Sequence, residues 1–241
     1  IAPLIFELGS YKIAVLSRCE SQFGVSQLNK AGVAAFDATI FNQIYELKNK
    51  VDLIIVSYHA GLEMSPWPSP NRQNLCRSFL DAGADIVYGH HAHTPQGWEE
   101  YKHGLIFYGL GNFCVDPKNW NWHPNALWSL SPVINIIDGK INYEINTLII
   151  EDNESEICIR NSTKQEKVKH QEYLDICNKP LDDNLFLESL WQEVSFKMYN
   201  NHYLNWLGFN NFSKNLKYIF FEKFFGKLFL KLFFNKDKQF L

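Results

Sequence analysis

No uninterrupted apolar run in this sequence is long enough to cross a bilayer as a helix, so a helical membrane span is not expected. Charge of one sign is lacking too. The formal net charge is −3, which removes the electrostatic case for nucleic acid as the main partner. Cysteine is sparse and scattered. Cys19, Cys76, Cys114, Cys158 and Cys177 show neither CxxC nor zinc-ribbon spacing, and their odd number excludes a complete disulfide framework. Buried or free thiols in a reducing compartment are the expectation. No charged-then-apolar leader opens the chain. It begins with Ile1 and reads as if already mid-protein, which leaves a cytoplasmic and a membrane-associated location both open. No internal repeat is visible. What remains is a chain of 241 residues, 46% hydrophobic and 20% charged, enough for a packed core and for either one large domain or one domain with an appendage.

Alternation of strand and helix signals runs through the first 150 residues. "YKIAVLS" (Tyr11–Ser17) reads as a short buried strand. "FDATIFNQIYELKNK" reads as a helix with Asp37 as N-cap and Ile40, Phe41, Ile44 and Leu47 at helical spacing. "VDLIIVSYH" is a β-branched run expected to be covered on both faces. "SPNRQNLCRSFLDAGAD" gives a second helix, with Leu75, Cys76, Phe79 and Leu80 apolar and Gly83 as its stop. "DIVYG" and "GLIFYGLGNF" are two further strands. "SPVINIIDGKINYEINTLII" reads as a hairpin turning at Asp138-Gly139. This order predicts an α/β domain with a mainly parallel sheet over 1–150. Residues 151–180 are polar and read as a surface connection or a poorly packed segment. Residues 181–241 read as a helical extension.

Parallel sheets place ligands at the carboxyl ends of their strands. Here His59 ends one strand, His90, His91 and His93 follow the next, and Asn112 follows a third. A neutral imidazole is a good ligand for zinc, iron or manganese. His91-Ala92-His93 can turn both rings toward one point, because alternate residues of an extended segment face the same side. The competing reading is loop histidines bonded to backbone. Glu63 fits either an orienting carboxylate beside a histidine, a pocket-lining group or a solvated side chain. Asn112 fits either a donor to a substrate oxyanion or an amide bonded within its own loop. Gly61, Gly109 and Gly111 permit tight turns at these positions.

"VDLIIVSYHAGLE", "DAGADIVYGHHAHTPQGWEEY" and "GLIFYGLGNFCVD" resemble, in this order, the bacterial capsule synthesis CapA family, which includes PgsA-like poly-γ-glutamate synthesis proteins. The likeness runs from about Ile5 to Asp116. It implies membership of the calcineurin-like metallophosphoesterases and a four-layer α/β/β/α fold. It implies a site for two divalent ions (manganese, iron or zinc) held in part by His59, His91 and His93, with His90 in a supporting place. It implies a catalytic neighbourhood that includes Asn112 and Glu63. The expected partner is an anionic polymer or a phosphorylated substrate, and the expected chemistry is attack of an activated water at phosphorus in capsule, poly-γ-glutamate or surface-polysaccharide synthesis.

The family's Gly-Asp, Asn-Leu-Glu and Asn-Asn-His motifs are not found in this sequence. The chain therefore resembles the second half of the family domain, and the resemblance implies weak metal binding and little turnover. Two other functions stay open: a non-catalytic structural or export component of a polymer-synthesis complex, and an amide hydrolase using the same metals.

In the tail, Phe220/Phe221, Phe224/Phe225, Leu228/Phe229 and Leu232/Phe233 repeat every four residues, with Lys223, Lys227 and Lys231 between them. Residues 213–241 thus read as an amphipathic helix, which meets either a membrane surface or an apolar face of this chain or a partner protein.

Overall fold

The β-branched run Leu53–Val56 explains the centre of the molecule, because its two faces bury against different layers. In a computed structural model, which describes residues 2–195 and 197 apart from 22, 23, 27, 138, 154 and 155, this run forms β3 (Leu53–His59). Its neighbours are β2 (Tyr11–Cys19) on one side and β4 (Ile86–His90) on the other, both parallel to it. The sheet has six strands in the order β1-β2-β3-β4-β6-β5, where β1 is Leu4–Leu8, β5 is Trp98–Tyr101 and β6 is Gly104–Phe107. β1 and β5 are antiparallel edges on a parallel centre. β1 leaves Leu4, Ile5, Phe6 and Leu8 exposed.

Ile54, Val56 and Tyr58 face the helices α1 (Thr39–Leu47) and α2 (Pro70–Ala82), packing with Ile40, Ile44, Phe79 and Leu80. Leu53 faces the other way with Ile13, Ile86, Leu105 and Phe107. There it meets Ile134, Ile136, Ile141, Tyr143 and Ile145 of a second sheet. That sheet is β7 (Trp128–Ile137), β8 (Lys140–Asn153) and β9 (Glu156–Asn161), all antiparallel. The expected hairpin is present, with Ile137 paired to Lys140, although Asp138 itself lies outside the described residues. The α/β class therefore holds. Three layers, α/β/β, are formed. Val133, Ile137, Ile157 and Ile159 stay exposed on the outer face of the second sheet, so the described residues build no fourth layer over them.

Helix boundaries follow local chemistry. Ser69 caps α2 by accepting from the Arg72 backbone N–H at 3.1 Å, Pro70 takes the first turn, and Gly83 closes it in the left-handed region. Asp37 stands one residue before the N-cap of α1. It accepts from the Thr39 backbone N–H at 2.9 Å and from the Thr39 hydroxyl.

The stretch 151–180 is not a surface connection. It holds the end of β8, all of β9 and the helix α4 (Lys164–Asn178). Its polar residues are consumed in local structure. Arg160 pairs with both Glu151 and Glu166, and Thr163 and Glu166 form a reciprocal capping box. α4 then docks through Leu174 and through His170, whose ring lies 4.0 Å from that of Trp128 and within 4° of parallel. Thr163→Ala is expected to cost about 1 kcal/mol in urea unfolding, the usual worth of such a cap. An unchanged midpoint would show that α4 is held by docking alone.

The chain divides into two units after Trp191 rather than at 150 and 180. Helix α5 (Asn184–Leu190) closes the first unit, capped by Asp183. The Phe/Lys segment 213–241 lies outside the described residues. No described helix is long and apolar enough to cross a membrane.

Candidate metal centre at the strand ends

Register alone places the first histidines together. His59 ends β3 and His90 ends β4, and the two are paired across the parallel ladder. Their rings lie 6.2 Å apart and within 22° of parallel. Both line a cavity of about 340 Å³ with Ser17, Cys19 and Ser57 from the same face of the sheet. His90, for which the family resemblance implied a supporting place, stands directly beside His59.

Beyond β4 the backbone turns sharply. His91 has φ 87° and His93 has φ 59°, a conformation rare for residues with a Cβ. The turn is held by the Met64 N–H, which donates to the Ala92 carbonyl at 2.7 Å and ties the β3 loop to the β4 loop. The result aims the His91 and His93 rings at Glu63. One donor atom from each of Glu63, His91 and His93 falls within 4.8 Å of the others. The Glu63 carboxylate lies 3.8 Å from His91 Nε2. His59 adjoins this group, with its ring 5.0 Å from that of His91.

Asn112 acts through His93. Its Nδ2 donates to the Ala126 carbonyl at 3.0 Å, which fixes the amide so that Oδ1 faces His93 Nδ1 at 2.8 Å. His93 Nδ1 must then carry the proton, leaving Nε2 as the lone-pair nitrogen, the usual device for orienting a metal-binding imidazole. Asn112 is also buried. The geometry therefore gives it an orienting role toward His93.

Two imidazoles and one carboxylate are a donor set for zinc or a similar divalent ion. Burial, followed by the neighbouring His59, His93 and Arg72, pushes the His91 imidazole down to about 4, so it is neutral and able to ligate at neutral pH. Burial lowers His59 and His90 as well. The residues present fit a divalent ion.

Beneath the histidines lies a buried cation that the sequence did not disclose. Arg72, on the inner face of α2, is 5% exposed. Its Nη2 donates to the Tyr108 carbonyl at 2.6 Å and its Nη1 to Gln96 Oε1 at 3.2 Å. Gln96 in turn donates to the Ser65 carbonyl at 2.8 Å. The guanidinium thus joins the loops after β3, β4 and β6. Glycine is required beside it. A Cβ on Gly89 would stand 2.2 Å from Nη2 and 2.1 Å from the Tyr108 carbonyl oxygen, and one on Gly61 would stand 2.6 Å from Nη1. The one available signal was an arginine and a glutamine, Arg72 and Gln73, on the helix face that carries Cys76, Phe79 and Leu80.

Residues 2–117, which carry every donor just described, match the family model of the bacterial capsule synthesis protein PGA_cap. The match takes in just under half of the chain. The capsule biosynthesis protein CapA of Bacillus anthracis is 48% identical over 73 residues, 30% of this chain and 18% of that protein. The PGA biosynthesis protein CapA of Bacillus subtilis is 42% identical over 93 residues, 38% and 24% of the two chains. A probable polyglutamine synthesis accessory protein of Mycobacterium tuberculosis is 32% identical over 81 residues, 34% and 21%. The PGA_cap match covers the six-stranded sheet and both its helices and stops as α3 (Pro117–Trp120) begins. The matched stretches span about a fifth of these relatives' own length.

Proposed function

We propose that this chain is part of a capsule or poly-γ-glutamate synthesis protein and supplies one wall of a metal-dependent hydrolytic site of the calcineurin-like type. The observation that carries this reading is the convergence of Glu63, His91 and His93 at the carboxyl ends of parallel strands, inside the segment that matches PGA_cap. The names of the Bacillus relatives support the pathway. Glu63, His91 and His93 would hold one divalent ion, with His59 and His90 beside them. When bound, such ions supply an activated water and neutralise charge on a phosphoryl or acyl oxygen. The chain's own part is to present neutral imidazoles, to fix the His93 tautomer through Asn112, and to keep the donors in place over Arg72.

A second reading, a non-catalytic component of the synthesis complex, is favoured by one observation. Glu63 is the lone carboxylate in the one three-donor group found among the described residues, and a two-metal site needs a bridging carboxylate. This chain alone is therefore expected to bind metal weakly and to turn over slowly. In competition with a chromogenic chelator, His91→Ala is expected to weaken zinc binding by at least tenfold, since losing even an outer partner of a ligand costs 10- to 100-fold. Equal affinity in the variant would remove the metal centre, and the non-catalytic reading would then lead.

A further inference from the structure

The matched family segment ends at residue 117, yet both loops of the candidate metal centre are bonded to α4, which begins only at Lys164. The sequence explains why the end of this helix is open to them. Inside a helix the Ile176 carbonyl would accept from the N–H four residues on, but that residue is Pro180, which has none. The Trp67 indole takes its place, with Nε1 donating to the Ile176 carbonyl at 3.1 Å. One turn earlier, the Tyr173 hydroxyl donates to the Pro95 carbonyl at 3.0 Å. At the helix end, Asn178 Oδ1 accepts from the Trp98 backbone N–H at 2.9 Å. A Cβ on Gly97 would stand 2.6 Å from Asn178 Oδ1 and 3.0 Å from the Cys177 carbonyl oxygen, so only glycine lets the helix lie this close to the loop.

The routes from these bonds to the metal donors are short. Pro95 is two residues beyond His93. Trp67, 8% exposed, closes the turn that follows Glu63, where its carbonyl accepts from the Ser65 hydroxyl at 2.8 Å. That turn and the His93 loop are also tied to each other, by the Met64 N–H on the Ala92 carbonyl and by Gln96 Nε2 on the Ser65 carbonyl. The helix is fixed in its turn. The Tyr173 ring meets Trp128 edge-on, with centroids 5.5 Å apart and planes at 82°, beside the stacked ring of His170. Arg72 thus holds the two loops from beneath, and α4 holds them from the side.

We propose that Tyr173 is a positioning residue for the metal centre, setting through Pro95 the reach of His93 toward Glu63. This rests on the metal-binding reading, and it gives a residue outside the matched segment a share in the site.

The test uses the full chain and two metal probes, zinc and cobalt(II). Tyr173→Phe removes the hydroxyl and keeps the ring against Trp128, so the variant is expected to fold, and far-ultraviolet circular dichroism checks that. In competition with a chromogenic chelator it should bind zinc about fivefold more weakly, less than the 10- to 100-fold cost of losing a group bonded to a ligand itself. Cobalt(II) at saturation supplies a readout that lost stability alone does not move, because its visible bands report coordination geometry. Those bands should shift in Tyr173→Phe. Thr163→Ala is the control: it removes the cap at the other end of α4 and should leave zinc affinity and the cobalt spectrum as they are in the unaltered chain. Unchanged affinity and spectrum in Tyr173→Phe, or an equal loss in Thr163→Ala, would overturn the proposal while the metal centre stands. If the unaltered chain binds neither ion, the metal centre itself falls and takes this inference with it.

Discussion

Arg72→Met is expected to lower stability by about 2–3 kcal/mol and to loosen three loops at once. The Tyr108 carbonyl and the Gln96 side-chain oxygen each lose a donor, and both residues are 1% exposed or less. A buried acceptor left without a partner costs about 1–3 kcal/mol, and hydrogen bonds from a charged donor are worth more than neutral ones. Some of this returns, because the variant no longer buries a cation and Arg72 Nε has no partner to lose. Methionine fills the volume but cannot bridge Gln96 and Tyr108. Lysine keeps the charge and offers one nitrogen where two are needed, so Arg72→Lys should recover little. Urea unfolding gives the first number. Amide hydrogen exchange gives the second, and it should rise together in the loops after β3, β4 and β6. A methionine variant with an unchanged midpoint and unchanged loop protection would show that the backbone holds itself.

The second large effect is acid lability of the metal-free protein. His59, His90 and His91 are all depressed in the folded state, His91 to about 4, chiefly by burial. Unfolded, a histidine titrates near 6.5. Above that pH the rings are neutral in both states and stability is at its full value. Between about 6.5 and 4 the unfolded chain takes up protons that the folded chain refuses, so stability falls as the pH falls. Each unit of depression is worth at most about 1.4 kcal/mol, and the partial exposure of these rings reduces that. With a chelator present, the urea midpoint should drop between pH 8 and pH 5. His91→Gln, which cannot titrate, should flatten the slope. A midpoint that does not move over this range would mean the rings are solvated enough to charge freely. A bound ion demands neutral ligands, so metal release should follow the same direction.

Much of this molecule is legible in its sequence because its centre uses strong local signals. The β3 run, the Ser69-Pro70 start and Gly83 end of α2, and the β7–β8 hairpin each state one element by composition alone. Parallel order then brought His59 beside His90 without further information. What sequence could not show is where charge is consumed by tertiary contacts. Arg160, Glu151 and Glu166 read as solvated polarity, but they brace β9 against the start of α4. Arg72 sits on a helix face that periodicity marks as apolar, and its burial depends on carbonyls from distant loops. The orienting role of Asn112 was equally hidden, since it depends on the Ala126 carbonyl fixing the amide. β1 and β5 are short edge strands whose pairing partners, not their own pattern, define them.

Every candidate donor comes from one continuous stretch, His59 to Asn112, carried on three adjoining strands. The stretch touches the second sheet through Ile86, Leu105 and Phe107, through Trp98 and Leu110, and through the Gly111–Ser129 bridge. The site is therefore a cassette. It can be exchanged as a block only if all of these contacts stay matched to the second sheet, and chemistry at the strand tips can then diversify while the sandwich beneath is left alone.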